Sequence, residues 1–268
     1  MNTEYLSRPG GRIAYDTSGD GPLVVLVPGM GDLRATYRFL APPLRDAGYR
    51  VACTDLRGHG DSDTRFASYG DVETAGDIAA LITELGGPAV VVGNSMGAGA
   101  AAIAAAEHPE LIAGLVLVGP FVRNPPVRAS QRILMRAAMA RPWVAMVWNL
   151  YLPKLYAGRR PTDFDAYRRQ VVESLRRPGH AAAFSLTTRL THAPAEARLD
   201  DVTAPALIVM GAMDPDFADP AGEAGWIADR LHGEVTMVAE AGHYPQSQQP
   251  DVTAAAILGF VERVHRRA

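Results

Sequence analysis

Short apolar runs recur along the chain and alternate with longer segments of mixed polarity. Each run has four or five residues, mostly Val, Ile, Leu or Ala, and lies close to Gly, Pro or a charged residue. Runs without polar alternation are typical of strands buried on both faces of a parallel sheet. The pattern predicts parallel strands at positions 23–27, 51–54, 89–92, 115–118, 206–210 and 235–238.

The segments between these strands are long enough for helices, which we predict at 34–47, 72–85, 96–108, 220–231 and 253–264. Strands that alternate with helices are typical of an α/β fold. Near the N-terminus, the stretches 3–7 and 12–17 flank Pro9, Gly10 and Gly11, which predicts a hairpin at an antiparallel edge. We therefore expect a mostly parallel central sheet flanked by helices.

The alternation stops between positions 121 and 200, where few residues suggest a strand. This segment contains Trp143, Trp148 and many Arg residues. We interpret 121–200 as a helical cap inserted into a core formed by 1–120 and 201–268.

One part of the predicted cap has an apolar stripe. Trp143, Met146, Val147 and Leu150 follow the spacing of one helix face. Such a stripe is typical of ordinary helix core. The alternative is that Trp143 and Met146, together with Met139, line an apolar substrate pocket over the sheet.

The pentapeptide Gly93-Asn94-Ser95-Met96-Gly97 lies between a predicted strand and an Ala-rich predicted helix. It matches the pattern G-x-S-x-G, whose flanking glycines allow a turn too tight for a Cβ atom. The turn exposes the serine hydroxyl, and the helix behind it offers free N–H groups and the positive end of its dipole. In a plain Gly-rich turn the serine would only cap the helix. The strand and helix on either side favour Ser95 as a nucleophile.

A serine nucleophile needs a base, and the base needs an orienting carboxylate. Among the seven His residues we select His243, because it follows the last predicted strand, where α/β folds place functional groups. Asp214 follows the strand 206–210 and is our candidate acid, with Asp216 and Asp219 as fallbacks. The alternative role of these carboxylates is to cap the next helix.

Two further glycine-containing turns follow predicted strands. In Pro28-Gly29-Met30-Gly31 the backbone N–H of Met30 is a candidate oxyanion donor beside that of Met96. The alternative is a plain tight turn. The second turn, Asp55-Leu56-Arg57-Gly58-His59-Gly60-Asp61-Ser62, carries charges that we interpret as a local hydrogen-bonded structure.

Composition and charge exclude several classes of protein. The chain has 268 residues, 48% of them hydrophobic and 21% charged, which are ordinary values for a globular protein. The net charge of −3 argues against a nucleic-acid partner. A single cysteine, Cys53, excludes an intrachain disulfide and a cysteine-based zinc cluster. Without a signal-peptide pattern or an apolar run of ~18 residues, we expect a cytoplasmic protein without a membrane partner.

The ordered set of motifs resembles the α/β-hydrolase superfamily, in its capped, esterase-like branch with a serine nucleophile. The motifs are G-N-S-M-G, the P-G-M-G loop, the R-G-H-G-D-S loop, G-A-M-D and A-G-H, and they cover nearly the whole chain. The resemblance implies Ser95 as nucleophile, His243 as base, Asp214 as acid, and Met30 and Met96 as oxyanion donors. One departure is Pro28, where many members have a His that organises the loop.

The resemblance also narrows the chemistry. Members that open epoxides or displace halide use Asp at the position of Ser95. We expect hydrolysis of a small or medium carboxylic ester or lactone through an acyl-enzyme, without a cofactor or metal. The alternatives are carbon–carbon bond hydrolysis of a diketone-like ring-cleavage product, cofactor-free perhydrolysis, and ligand sensing with slow turnover. At Ala98 the chain departs from carbon–carbon hydrolases, which often have Gly there. The sequence leaves the oligomeric state open.

Overall fold

An eight-stranded sheet forms the centre of the protein, in a computed structural model that describes residues 2–124 and 129–267. The strands are β1 (Glu4–Arg8), β2 (Gly11–Ser18), β3 (Leu23–Val27), β4 (Arg50–Thr54), β5 (Ala89–Asn94), β6 (Ile112–Val118), β7 (Ala206–Gly211) and β8 (Glu234–Val238). Their order across the sheet is β1-β2-β4-β3-β5-β6-β7-β8. The hairpin of β1 and β2 is antiparallel and pairs antiparallel with β4, and the other pairings are parallel. The predicted fold class is confirmed.

Eleven α-helices connect and flank the strands in the described part of the chain. They are α1 (Ala41–Asp46), α2 (Asp71–Leu85), α3 (Met96–Glu107), α4 (Ala129–Ala138), α5 (Val144–Leu155), α6 (Phe164–Arg176), α7 (His180–Thr187), α8 (Ala193–Glu196), α9 (Pro220–Leu231), α10 (Pro245–Gln248) and α11 (Pro250–Arg267). Short 3-10 turns occupy Arg34–Tyr37 and Leu199–Asp201.

Two apolar layers cover the sheet. Successive side chains of a strand point to opposite faces, so Val25 and Val27 of β3 join one layer while Val24 and Leu26 join the other. Helices α2, α3 and α9 supply the first layer, and α1 and α11 supply the second. This two-sided burial explains why β3 to β7 lack polar alternation, whereas the edge strand β8 leaves Val235 and Met237 exposed.

The prediction of a single helix at 34–47 was wrong. The structure has the 3-10 turn Arg34–Tyr37 followed by the short helix α1, whose first turn holds Pro42 and Pro43. Proline lacks a backbone N–H and fits only the first turn of a helix. The helix therefore begins just before the two prolines.

Helices α4 to α8 lie between β6 and β7, in the inserted segment, residues 121–200. Helices α5, α6 and α7 form a third apolar cluster, which also contacts Met30 and Tyr244 of the rest of the chain. Helix α5 buries Val144, Trp148 and Leu152 in this cluster.

Candidate active site

Ser95 lies at the sharp turn between β5 and α3. Its backbone has φ of 56° and ψ of −122°, a conformation that side chains other than glycine rarely adopt. A Cβ atom at Gly97 would lie 2.5 Å from the carbonyl oxygen of Pro28, so glycine is required there. The motif glycine and the strained serine together form the tight turn predicted from the sequence.

Asn94 links this turn to the loop that carries His243. The Asn94 side-chain amide donates hydrogen bonds to the carbonyl oxygens of Val118, at 3.0 Å, and His243, at 3.2 Å. The Ser95 backbone N–H donates to the same Val118 carbonyl at 2.9 Å. The ends of β5 and β6 and the loop after β8 therefore meet at one edge of the sheet.

His243 and Asp214 form a buried pair at this edge. His243 Nδ1 lies 2.7 Å from Asp214 Oδ2. Because a carboxylate only accepts, Nδ1 carries the proton and Nε2 is left for another partner. The backbone N–H of His243 donates to Leu155 of α5 at 2.8 Å, which fixes the loop.

The environment of His243 raises the pKa of its imidazole to about 9. Burial by itself lowers this pKa, but the negative charge of Asp214 and its hydrogen bond outweigh burial, and Asp216 adds in the same direction. The site therefore stabilises the imidazolium that forms when His243 accepts a proton.

Asp216 is a second carboxylate close to the same imidazole. Its Oδ2 lies 4.0 Å from His243 Nδ1, and its backbone N–H donates to Asp214 Oδ1 at 3.1 Å. The hydroxyl of Tyr151 on α5 donates to Asp216 Oδ1. These distances favour Asp214 over Asp216 as the partner of His243, and the other fallback, Asp219, caps α9 through the N–H of Gly222.

The loop after β3 lies directly against Ser95. A Cβ atom at Gly29 would be 2.7 Å from Ser95 Cβ. Within the described residues, the backbone N–H groups of Met30 and Met96 donate to no protein acceptor. Met30 and Met96 both stand next to residues of this contact, so their amides stay candidate oxyanion donors.

His59 and Trp148 hold this loop in place. The Gly31 N–H donates to His59 Nε2 at 2.9 Å, and Trp148 Nε1 donates to the Gly31 carbonyl at 2.8 Å. His59 Nδ1 lies 2.8 Å from the Arg57 carbonyl, and burial lowers the pKa of His59 to about 4, so the ring is neutral. His59 thus organises this loop, which has Pro28 where many members of the superfamily have a His.

The loop around Asp55 has the local hydrogen-bonded structure expected from its charges. Asp55 accepts from the backbone N–H groups of Arg34, at 2.8 Å, and Asp61, at 3.0 Å, and pairs with the Arg34 guanidinium.

Aromatic rings that the sequence analysis did not single out surround His243. Phe121 lies three residues after the end of β6, and its N–H donates to the Ser95 carbonyl at 3.2 Å. The Phe121 ring lies 5.8 Å from that of His243 and 5.0 Å from that of Phe217. Its position shortly after a predicted strand was the feature of the sequence that could have identified Phe121 as a site residue.

The three predicted pocket residues lie in different environments. Met139 is buried in the cluster of α5 to α7. Trp143 and Met146 are 46% and 58% exposed, and Trp143 Nε1 donates to the carbonyl of Ala137 at 2.9 Å. The side of helix α5 that packs against the core is the opposite one, which carries Trp148. A pocket role for the three residues stays a prediction.

A cavity of about 650 Å³ lies away from this site, between the 3-10 turn at Arg34–Tyr37 and α6. Ser95, Asp214 and His243 are not among the described residues that line it. Its Arg34 already pairs with Asp16, Asp55 and Asp61. We therefore place the candidate site at Ser95 rather than in this cavity.

The fold is that of an α/β-hydrolase. It is defined by the order of the strands in the sheet, the turn that carries the serine, and the position of the His–Asp pair. The model of the Alpha/beta hydrolase family matches residues 24–256, and the chain belongs to this family. No helix in residues 2–124 and 129–267 is long and apolar enough to cross a membrane.

Two hydrolases and one bromoperoxidase illustrate what this chain is similar to. A 2-(acetamidomethylene)succinate hydrolase of Mesorhizobium japonicum is 31% identical over 94% of this chain and 93% of its own length. A pimeloyl-[acyl-carrier protein] methyl ester esterase of Neisseria meningitidis is 30% identical over 90% of this chain and 77% of its own length. The structure of a bromoperoxidase from Bacillus anthracis shares the fold, with a TM-score of 0.84 and 18% identity over 97% of this chain and all of that one.

Proposed function

We propose that this protein is a serine hydrolase that cleaves a small or medium carboxylic ester or lactone through an acyl-enzyme. Ser95 is the nucleophile, His243 the base and Asp214 the orienting acid. The observation that carries this proposal is the 2.7 Å contact of His243 Nδ1 with Asp214, in a loop joined to the serine turn by Asn94. The activity falls in the carboxylic ester hydrolase class.

Acylation begins when Ser95 Oγ attacks the substrate carbonyl carbon and its proton passes to His243 Nε2. Asp214 stabilises the imidazolium that forms. The carbonyl oxygen becomes negatively charged and accepts hydrogen bonds from the free N–H groups of Met30 and Met96. When the tetrahedral intermediate collapses, the imidazolium gives its proton to the leaving alkoxide, and the alcohol departs.

Deacylation repeats these steps with water. His243 removes a proton from a water molecule, and the resulting hydroxide attacks the acyl carbon. The same two N–H groups stabilise the negative oxygen. The intermediate releases the carboxylic acid and returns the proton to Ser95.

The side chains around His243 favour an apolar acyl group. Phe121 lies beside its ring, Phe217 packs on Phe121, and Trp148 packs on the loop of Met30. We propose that the inserted segment acts as a cap over this site, and that Met139, which is buried in its helical cluster, lies on the side of the acyl pocket. Similarity to a methyl ester esterase supports ester cleavage.

A second candidate function is hydrolysis of an unsaturated dicarboxylate. The relative with 31% identity is named as a hydrolase of 2-(acetamidomethylene)succinate, and it matches nearly the full length of both chains. Such a substrate carries two negative charges, whereas the described contacts of His243 with Phe121 and Tyr244 are aromatic. This difference favours the ester.

Labelling and turnover test the proposal together. A fluorophosphonate probe should label the wild-type protein but not Ser95→Ala. The wild type should then hydrolyse p-nitrophenyl esters from acetate to octanoate faster than it hydrolyses 2-(acetamidomethylene)succinate. Absence of labelling contradicts the serine mechanism, and faster turnover of the dicarboxylate favours the second candidate.

A further inference from the structure

Large apolar side chains are exposed together on the outside of the inserted segment. We call this surface the outer face, formed by Ile133, Leu134, Met135, Trp143, Met146 and Leu150. Ile133 and Leu134 of α4 are 69% and 70% exposed, and Leu150 of α5 is 66% exposed. Monomeric proteins rarely expose contiguous apolar patches beyond a few hundred Å² unless the patch binds a partner.

More than a full turn of helix α4 is exposed. All five residues from 133 to 137 are exposed, and successive helix positions point in directions about 100° apart. Helix α5 buries Val144 and Trp148 on its other side, so its exposed residues are not needed for the described core. The outer face is therefore available to a partner.

The stretch of sequence that carries the outer face has charges of one sign. Positions 121–162 contain seven Arg, one Lys and no Asp or Glu, although the whole chain has a net charge of −3. Arg136 lies on α4 beside the apolar residues, and Arg141 lies just before Trp143. Both are exposed and form no salt bridge with an acid in residues 2–124 or 129–267.

We propose that the outer face binds an anionic lipid surface, with α4 and α5 lying along the interface. Apolar side chains enter the boundary between headgroups and acyl chains, while arginine guanidinium groups stay at the level of the phosphates. Aromatic residues such as Trp143 favour the same interfacial depth.

Charge argues against a second copy of this chain as the occupant. A symmetric dimer through the outer face would bring two groups of basic residues together, and like charges in contact weaken association. An anionic lipid surface supplies the opposite charge. Binding at a surface needs no spanning helix, so it agrees with the absence of one among the described helices.

The direct test is sedimentation of the full chain with vesicles. The protein should bind vesicles made of equal parts phosphatidylglycerol and phosphatidylcholine more tightly than vesicles of phosphatidylcholine alone. Binding should weaken when the salt is raised from about 0.1 M to about 1 M, because salt screens surface charges. Ester hydrolysis plays no part in this measurement, so its outcome is separate from the proposed function.

Two double variants test the contributions of charge and apolar area. Arg136→Gln with Arg141→Gln should lower affinity for the anionic vesicles about 25-fold, since each basic residue contributes about fivefold. The matched control is Arg65→Gln with Arg266→Gln, which removes the same charge at exposed positions elsewhere and should bind within about threefold of wild type.

Leu134→Ser with Leu150→Ser should lower affinity at least about tenfold, because both side chains lose apolar area that the lipid would cover. Its control is Val72→Ser with Val252→Ser, at exposed apolar positions of α2 and α11.

Four results would overturn the proposal. They are no binding to the anionic vesicles, equal binding to neutral vesicles, equal loss in the control variants, and unchanged binding in both outer-face variants. A fifth would be a dimer, seen by light scattering, that dissociates in the leucine variant, because the outer face would then be a contact between copies.

Discussion

Ser95 has a strained backbone and is the proposed nucleophile, and replacing its side chain is the simplest test at the scale of one residue. Ser95→Ala keeps the same turn, so the fold should survive. The variant should lose about 10⁶-fold in kcat, which is typical for removal of such a nucleophile. Ester turnover and thermal unfolding measure the two effects. A folded variant with more than about a tenth of wild-type activity means that Ser95 is not the nucleophile.

The two carboxylates near His243 differ in distance, and their variants should differ accordingly. Asp214→Asn removes the partner at 2.7 Å and should lower kcat by about 10⁴. Asp216→Asn removes a carboxylate at 4.0 Å and should lower kcat less than about tenfold. If Asp216→Asn gives the larger loss, the assignment of the acid reverses.

The pH dependence of kcat/KM should report the charge of His243. The base must be neutral, and its pKa is raised to about 9, so kcat/KM should rise with pH through a range above the ordinary pKa of 6.5. Asp216→Asn removes one negative neighbour and should move this rise to lower pH. A profile identical to wild type would exclude an electrostatic effect of Asp216.

At the scale of elements, helix α5 of the inserted segment contacts several residues of the candidate site. Trp148 fixes the Gly31 carbonyl, Tyr151 donates to Asp216, and Leu155 accepts from the His243 N–H. Because these contacts recur along one helix, a change in α5 should affect catalysis as well as stability.

Trp148→Phe tests this dependence. The substitution keeps an aromatic ring but removes the hydrogen bond to Gly31, which should cost about 1 kcal/mol of stability. Release of the loop should also lower kcat, because the Met30 N–H loses its fixed position. Trp226→Phe on α9 is the control, and kcat should stay at the wild-type value there. Equal kcat in both variants would show that Trp148 has only a packing role.

At the scale of the whole molecule, the inserted segment and the sheet should unfold together. The cluster of α5 to α7 includes Tyr244 and contacts Met30, both of which belong to the sheet's own loops. In the Trp226→Phe variant the two remaining Trp residues lie in the inserted segment, so fluorescence reports that segment while far-ultraviolet circular dichroism reports all helices and strands. The two unfolding curves should coincide. Separate midpoints would show that the segment is an independent unit.

Net charge does not describe how charge is distributed over the whole molecule. The total of −3 argues against a nucleic-acid partner, but it does not reveal that 121–162 has no acidic residue. Acidic residues elsewhere balance the total, so only the distribution of charge along the chain and over the surface identifies the outer face.

The sequence by itself determined the α/β class, because strands buried on both faces leave continuous apolar runs. It also identified Ser95, Asp214 and His243 as candidates, since each follows a predicted strand and the ends of parallel strands meet at one edge of the sheet. Local motifs carried this information.

Only the tertiary structure decided which groups contact one another across the chain. The distances from His243 to Asp214 and to Asp216 depend on how distant loops pack, and so does the hydrogen bond from Gly31 to His59. Helix α5 is apolar on nearly all sides, so its spacing alone did not show which side is buried. The core takes the side of Trp148 and leaves Leu150 exposed, because burial depends on the neighbours that the fold supplies.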